Sequence, residues 1–395
     1  MSEFIQCPGF QAAAISAGIK KGGTPDLGLI YSQVPATVAG VFTRNQVQAA
    51  PVLISKAHAA DGTCQAVVAN SGNANCCTGD QGIQDARKMA ALTAAALKLL
   101  PENVLVASTG VIGASLPMGK IEAAVSPLVT SLAPEGFDDF ARAIMTTDTV
   151  PKLVQRRGRI DDRDVTLVAA AKGAGMIRPD MATLLCFICS DVHIEAPLLQ
   201  QGLKNAVDRT LNRITIDGDT STNDMALMLA NGLSGAKVQT SEAQRIFESL
   251  LEDLLGDVAR RLIKDGEGVT KVALIKVQGA LSDADALRVA DTVGHSPLVK
   301  TAFFGQDANW GRIIAAVGRA GVPINPEKID LFFDHVQLVK QGRWCGQEAE
   351  ARATAVLKQP EFSVIIDLNQ GQGAESLLTS DFSVEYVKIN ADYRS

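Results

Sequence analysis

The residues best placed to do chemistry lie in AAKGAGMIRPDMATLLCFICSD, residues 170 to 191. The stretch sets a lysine, a glycine-rich turn, a proline and a lone Ala-Thr step between two apolar runs. Its KGAGMIR segment is half of a dinucleotide-binding G-x-G-x-x-G, because Arg178 stands where the third glycine belongs. Cys186 and Cys189 have the spacing of a redox pair or half a zinc site. They sit, however, in TLLCFICSDVHI, which reads as a buried strand with Leu184, Cys186 and Ile188 on one face and Leu185, Phe187 and Cys189 on the other. No second CxxC and no His-x-x-x-His completes a metal set, so no metal is expected. The sequence also lacks a G-x-S-x-G elbow, a G-x-x-x-x-G-K-[ST] loop and an H-E-x-x-H motif. Four histidines (His58, His193, His295, His335), none near a serine motif, leave little material for a Ser-His-Asp triad.

What remains is a stock of hydroxyls, amides and glycines where strands end: NSGNANCCTG, ASTGVIG, MTTDTVPK, DGDTSTND and FGQDANWGR. Such loops supply the hydroxyls and free backbone N–H groups of an oxyanion hole or a polar-substrate pocket. Helix caps and turns use the same residues, so no single one of these loops is diagnostic.

The elements that must position these loops alternate between α and β. DLGLIYSQVPATVAGVFTRN, APVLIS, CQAVVANSG and NVLVASTGVIG read as strands. GIQDARKMAALTAAALKLL reads as a helix with Met89, Leu92, Ala96 and Leu99 on one stripe, and PLLQQGLKNAVDRTLN as a second. SEAQRIFESLLEDLLGDVARRLIKDG is a third: Ser241 and Gln244 form a capping box, Ile246, Leu250, Leu254 and Val258 make the stripe, and Gly266 follows the end. Further on, VTKVALIKVQGA reads as a strand, DADALRVADTVGHSPLVKTAFF as one helix, and KIDLFFDHVQLV, EFSVIIDLN and FSVEYVKIN as strands. A boundary near residues 279 to 284 would give a larger domain over 1–279 and a smaller one over 280–395. No repeat of fixed period appears.

The chain has 395 residues, 47% hydrophobic and 20% charged, which suits about two globular α/β domains. With 37 Lys and Arg against 43 Asp and Glu, the net charge is −6 and no basic arm forms, so nucleic acid is a poor partner. The N-terminal stretch has neither the pattern of a signal peptide nor a membrane span. Seven cysteines without framework spacing fit reduced thiols and a cytoplasmic setting.

Six motifs occur in order: TTDTVPK (146 to 152), KGAGMIRPDMATLL (172 to 185), DGDTSTND (217 to 224), DGEGVTK (265 to 271), FGQDANWGRI (304 to 313) and VKINADYRS (387 to 395). On these the chain resembles the ornithine acetyltransferase, or glutamate N-acetyltransferase, family of arginine biosynthesis, over essentially its whole length. The resemblance implies self-cleavage between Ala182 and Thr183 into an alpha chain (1–182) and a beta chain (183–395), with Thr183 as nucleophile. The physics agrees: once the chain is cut, Thr183 carries an α-amino base of reference pKa about 7.7–8.0 beside its own hydroxyl. The resemblance further implies Thr109 and Gly110 as the oxyanion hole, and Thr147, Lys172, Thr183, Glu267, Asn390 and Ser395 as substrate-binding residues. The implied reaction moves acetyl from N2-acetylornithine to glutamate by way of acetyl-Thr183, with no cofactor. Whether acetyl-CoA is also a donor stays open. The implied architecture is an α-β-β-α sandwich with a second, smaller α/β domain, and the implied assembly is a heterotetramer of two alpha and two beta chains. Two rival classes are a self-cleaving amidase or aminopeptidase of related architecture and a non-enzymatic binding protein. CC at Cys76 and Cys77, and the cysteine-rich LLCFICSD, depart from the family pattern.

Overall fold

The computed structural model describes residues 4–178 and 184–392. The chain divides into two compact units, Met1–Asn212 with Asp219–Leu262, and Arg213–Gly218 with Ile263–Ser395. This divide falls earlier than the expected change at 279 to 284. The strand Val272–Ala280 is the reason: it is paired on both sides within the second unit's sheet.

The first unit is built on strands β1 (Phe10–Ile15), β2 (Leu27–Phe42), β3 (Thr63–Asn73), β4 (Val104–Val111), β5 (Lys152–Ile160), β6 (Arg163–Lys172), β7 (Leu185–Ser190) and, beyond the short β8 (Ile214–Thr215) of the second unit, β9 (Met225–Ala230). They hydrogen-bond in the order β4-β3-β2-β9-β7-β6-β5, with β1 on β2. The 16-residue β2 joins two halves of this sheet. Its first part pairs with β1 and β3, its register against β3 shifts between Tyr31 and Ala36, and Thr37–Phe42 then pairs with β9.

Alternation along the strands separates two cores. Val67, Ala69, Leu105 and Ala107 pack in one cluster with Val168, Ala170, Leu185, Phe187, Leu227 and Leu229, so one half of the sheet faces the other. Phe140 meets Phe187 edge-on at 5.3 Å inside that layer. The intervening residues Ala66, Val68, Val104 and Val106 pack instead against the helices α1 (Ala50–His58), α2 (Gly79–Leu97) and α3 (Met118–Thr130). The short α4 (Phe137–Ala143) contributes Phe137 and Phe140 to the inner cluster. On the other half, α5 (Ala196–Arg209) fastens to β2 through Gln200, which donates to Gly40 O and accepts from Gly40 N. α6 (Ser241–Lys264) reaches β5 through Arg156–Asp257. The result is the expected α-β-β-α sandwich, with its two β layers continuous through β2.

The second unit carries a seven-stranded sheet, β13-β12-β11-β14-β10-β15-β8. Its strands are β10 (Val272–Ala280), β11 (Asp330–Phe333), β12 (Val336–Lys340), β13 (Arg343–Trp344), β14 (Glu361–Asp367) and β15 (Gly373–Ser380), besides β8. Its helices are α7 (Asp283–Gly294), α8 (Pro297–Phe304), α9 (Trp310–Gly318), α10 (Gln347–Leu357) and α11 (Val384–Ala391).

Several expected elements differ. APVLIS is helix α1, not strand, because Pro51 sits in the first turn, where its missing N–H costs nothing. The expected single helix DADALRVADTVGHSPLVKTAFF breaks at Ser296-Pro297: Ser296 caps a new helix by accepting from Val299 N, and Pro297 opens it. FSVEYVKIN is helix α11, capped by Ser383, which accepts from Tyr386 N. KIDLFFDHVQLV turns at Asp334 (φ +50°) into two strands. The α2 stripe is rotated, with Met89, Ala90, Thr93 and Ala94 buried and Ala96 exposed. In α6 the cap is Thr240, whose Oγ1 accepts from Ala243 N, and the buried face runs through Phe247, Leu251, Leu254, Leu255 and Val258, leaving Ile246 and Leu250 half-buried.

Candidate active site

β4 brings Thr109 and Gly110 to its end. Thr109 is buried, and Gly110 has φ +132°. A Cβ there would lie 2.4 Å from Gly72 C and 2.5 Å from Asn73 N, both backbone atoms of the neighbouring β3, so only glycine lets the two strands close up. The NSGNAN loop braces this strand end. Ser108 donates to Asn70 Oδ1 (2.6 Å), Asn70 Nδ2 donates to Asn73 O (2.9 Å), and Asn73 Nδ2 donates to Ala114 O and Ser115 O (3.2 and 3.0 Å). These amides, polar-pocket candidates by sequence, are cross-braces of the scaffold.

The strand that follows the Ala-Thr step is β7, and its register fixes its neighbours. Leu185 lies opposite Lys172 of β6 on one side and opposite Met225 of β9 on the other. Lys172 and Asp224, which precedes Met225, therefore flank the start of β7. Lys172 is 4% exposed and Asp224 1%. Burial pushes the Asp224 carboxyl well above the usual carboxylate range, against the pull of Lys172 and of hydrogen bonds from the Leu184 and Ser221 backbone and the Ser221 side chain. Among the described residues its Oδ2 has no hydrogen-bond partner. Next to it, Asn223 donates to Ala74 O (2.6 Å) and Ser108 O (2.9 Å), while its Oδ1 accepts from Thr222 Oγ1 (2.6 Å).

The TTDT loop follows α4. Thr147 is half-buried there. Its neighbour Asp148 pairs through Oδ1 with the fully buried Lys152 Nζ and accepts from Gly173 N (2.8 Å), and its Oδ2 accepts from Thr146 N (3.0 Å). Burial alone would raise this carboxyl. Lys172, then Lys152, and the hydrogen bonds from Lys152 and Thr146 overcome that and hold it at about 2. Lys172 thus stands between one carboxyl pulled down and another pushed up.

In the second unit, Glu267 is 7% exposed and accepts from Asn390 Nδ2 through Oε2 (2.9 Å); the same Nδ2 donates to Tyr386 O (3.0 Å). Ala182, Thr183 and Ser395 lie outside the described residues. Sequence reasoning did not assign Asp148, Asn223 or Asp224 a role, although all three stand inside the TTDTVPK and DGDTSTND motifs. The CFIC pair is a strand segment, as expected, with both thiols free and the Cys186 thiol pushed up to about 12 by burial. Among the described residues no three His, Cys, Asp or Glu side chains are grouped to hold a metal, and no helix is long and apolar enough to cross a membrane.

Fold and site define an α-β-β-α protein whose strand ends gather hydroxyl, amide, lysine and carboxyl groups around the start of one buried strand. Comparison with known proteins agrees with the motifs. The model of the ArgJ family matches residues 11–395. The "Arginine biosynthesis bifunctional protein ArgJ" of Geobacter sulfurreducens is 50% identical over 389 residues, covering 98% of this chain and 99% of that protein. The protein of the same name from Syntrophotalea carbinolica is 51% identical over 393 residues, covering 99% and 100%. A crystal structure of Arginine biosynthesis bifunctional protein argJ from Bacillus halodurans is 40% identical and covers 51% of this chain and 95% of that chain, at a TM-score of 0.49. The chain belongs to the ArgJ family.

Two outcomes follow from this geometry. Gly110→Ala forces a Cβ into the β3 backbone at an unfavourable φ, and should cost at least ~2 kcal/mol in urea unfolding. Asp148→Asn takes a counter-charge from the fully buried Lys152 and should cost ~3–5 kcal/mol. Since the folded pKa of Asp148 lies below the unfolded value of about 3.9, the unfolded state binds protons more readily between the two values. Its contribution is complete above that range and is lost as pH falls towards 2. The stability difference between wild type and Asp148→Asn, measured from pH 7 downwards, should therefore shrink below about pH 4. A difference that grew with acid would contradict the assignment.

Proposed function

We propose that the chain moves an acetyl group from N2-acetylornithine to glutamate by a ping-pong reaction through acetyl-Thr183, giving ornithine and N-acetylglutamate in the cyclic route of arginine biosynthesis. One observation supports it above the rest. Neighbouring residues Asn223 and Asp224 grip Ser108, immediately before Thr109, and Leu184, immediately after Thr183. The same two-residue bracket joins the residue before the expected oxyanion donors to the residue after the expected nucleophile.

In the first half-reaction Thr183 Oγ attacks the acetyl carbonyl, and the freed α-amino group of Thr183 takes the hydroxyl proton. Thr109 Oγ1 and the Gly110 N–H donate to the tetrahedral oxyanion, a role in which one donor is worth roughly 3–4 kcal/mol. Collapse expels ornithine, which receives the proton. Glutamate then attacks the acetyl ester through its amine and regenerates Thr183. Lys172 and Thr147 hold the α-carboxylate common to both substrates, and Glu267, Asn390 and Ser395 meet their amino groups and side chains. Acetyl-CoA serves as a second donor to the same threonine, which fits the word bifunctional in the relatives' names.

The nucleophile is made by cleavage at Ala182–Thr183. Thr183 Oγ attacks the Ala182 carbonyl in an N-to-O shift, and water hydrolyses the ester, so the same oxyanion donors serve both reactions. The fragments remain together because the cut leaves whole ladders between them: β6 with β7, and β2 with β9. Two such pairs form the assembly, an alpha2beta2 heterotetramer in the cytoplasm.

Intact mass of the purified protein should show two copurifying fragments, the second beginning Thr-Leu-Leu-Cys. Thr183→Ala should stay full-length, folded and inactive. Thr183→Ser keeps an oxygen and an amine but loses the methyl that restricts χ1; it should mature, more slowly, with kcat lowered by about one to three decades. An active, uncut wild-type chain, or activity in Thr183→Ala, would remove the mechanism. In donor assays with glutamate, N2-acetylornithine should support rapid transfer and acetyl-CoA slower transfer. Acetate release faster than transfer would make the protein an amidase instead.

A further inference from the structure

Lys300 is a buried lysine that the mechanism above does not use. It lies on α8, is 1% exposed, and its Nζ donates to Thr379 Oγ1 (2.9 Å), Ser380 Oγ (3.2 Å) and Ser380 O at the end of β15. Three acceptors match the three donors of an ammonium. Nζ also stands 5.0 Å from the centre of the Phe382 ring, and the Lys300 carbonyl accepts from Phe382 N (3.2 Å). Burial pushes the amine down to about 7, against Asp381 and Asp217, which favour its charge.

The segment that Lys300 anchors leads in two directions. Asp381 accepts from Thr270 N and Lys271 N (2.9 and 3.0 Å), and Ser383 Oγ donates to Gly268 O (2.6 Å), so residues 381 and 383 fasten the loop that carries Glu267. Gly268 has φ +66°, and a Cβ on it would fall 2.4 Å from Tyr386 N, so loop and helix touch through backbone. In the other direction Phe382 stacks on Tyr386 at 4.9 Å, and Tyr386 Oη donates to Asp217 Oδ2 (3.2 Å). Tyr386 belongs to α11, which carries Asn390 onto Glu267.

We propose that Lys300 is a positioning residue: through Phe382 it seats α11 so that Asn390 meets Glu267, and thereby sets the affinity of that pair for the substrate's amino-acid group. Lys300 itself touches no substrate. The inference rests on the reading of Glu267 and Asn390 as substrate-binding. It predicts a division of labour, in which loss of the lysine loosens α11 and weakens binding while leaving the acyl-transfer chemistry, which lies on other residues, nearly intact.

The test uses the matured two-fragment protein with Lys300→Met, which keeps the stem and removes charge and donors. Amide hydrogen exchange in residues 384–391 should speed up by about tenfold or more, with residues 283–294 unchanged. KM for glutamate should rise about 5- to 30-fold with kcat within about threefold. Unchanged exchange in 384–391, or equal loss of kcat and unchanged KM, would overturn the proposal. Phe382→Leu, which spares the Lys300 hydrogen bonds and removes the ring, should reproduce both effects in smaller measure and serves alone if Lys300→Met does not fold; unchanged exchange and KM in it would overturn the proposal equally. Glu267→Gln is run alongside. If it leaves KM unaltered while Lys300→Met still releases α11, the positioning of the pair stands and the substrate reading of Glu267 falls.

Discussion

The site depends on two adjacent side chains between strands. Asn223 holds the end of β4 by its amide, and Asp224 holds the amide N–H at the start of β7 by its carboxyl. These strands are not neighbours in the sheet, since β3, β2 and β9 stand between them in the hydrogen-bonding order. A curling sheet brings such strands face to face but does not set their ends to ångström precision. A pair of consecutive residues, rigidly spaced by one peptide unit, does so.

The bracket has an electrostatic counterpart. Lys172 lies at the end of β6 in the fields of two carboxyl groups, one driven down and one driven up. Two lysines and two backbone N–H groups hold the Asp148 carboxyl down; burial pushes the Asp224 carboxyl up. Lys172 therefore lies between two acids whose surroundings push their proton affinities in opposite directions.

Much of this was legible in the sequence, and the omissions have a common cause. Apolar alternation located β2, β3, β4, β7, β10 and β14, since each is buried on at least one face and the period of two is then enforced. It failed for APVLIS and FSVEYVKIN, where a proline or a capping serine decides the conformation and the apolar residues alone do not distinguish helix from strand. The single helix expected over residues 283 to 304 ignored the same signal at Ser296-Pro297. Thr109, Gly110, Lys172, Glu267 and Asn390 were singled out through motif resemblance. Asp148 and Asp224 were passed over because an acid in a polar loop looks solvated. Only the pairing of Gly173 with Asp148, or of Asn223 with Ser108 across 115 residues, shows otherwise.

The position of the expected cut follows the same logic. Cleavage before β7 would make Thr183 a chain terminus without removing any strand from the sandwich, because β7 would remain bonded to β6 of one fragment and β9 of its own. A cut in a surface loop would free an amino terminus equally well, but away from the start of β7, which Asn223 and Asp224 link to the end of β4. A cut within β7 would sacrifice ladder hydrogen bonds and a strand whose every residue is buried. The edge of a buried strand is a place where a new α-amino group could be made at small cost to the fold, next in sequence to the β7 start that Lys172 and Asp224 flank.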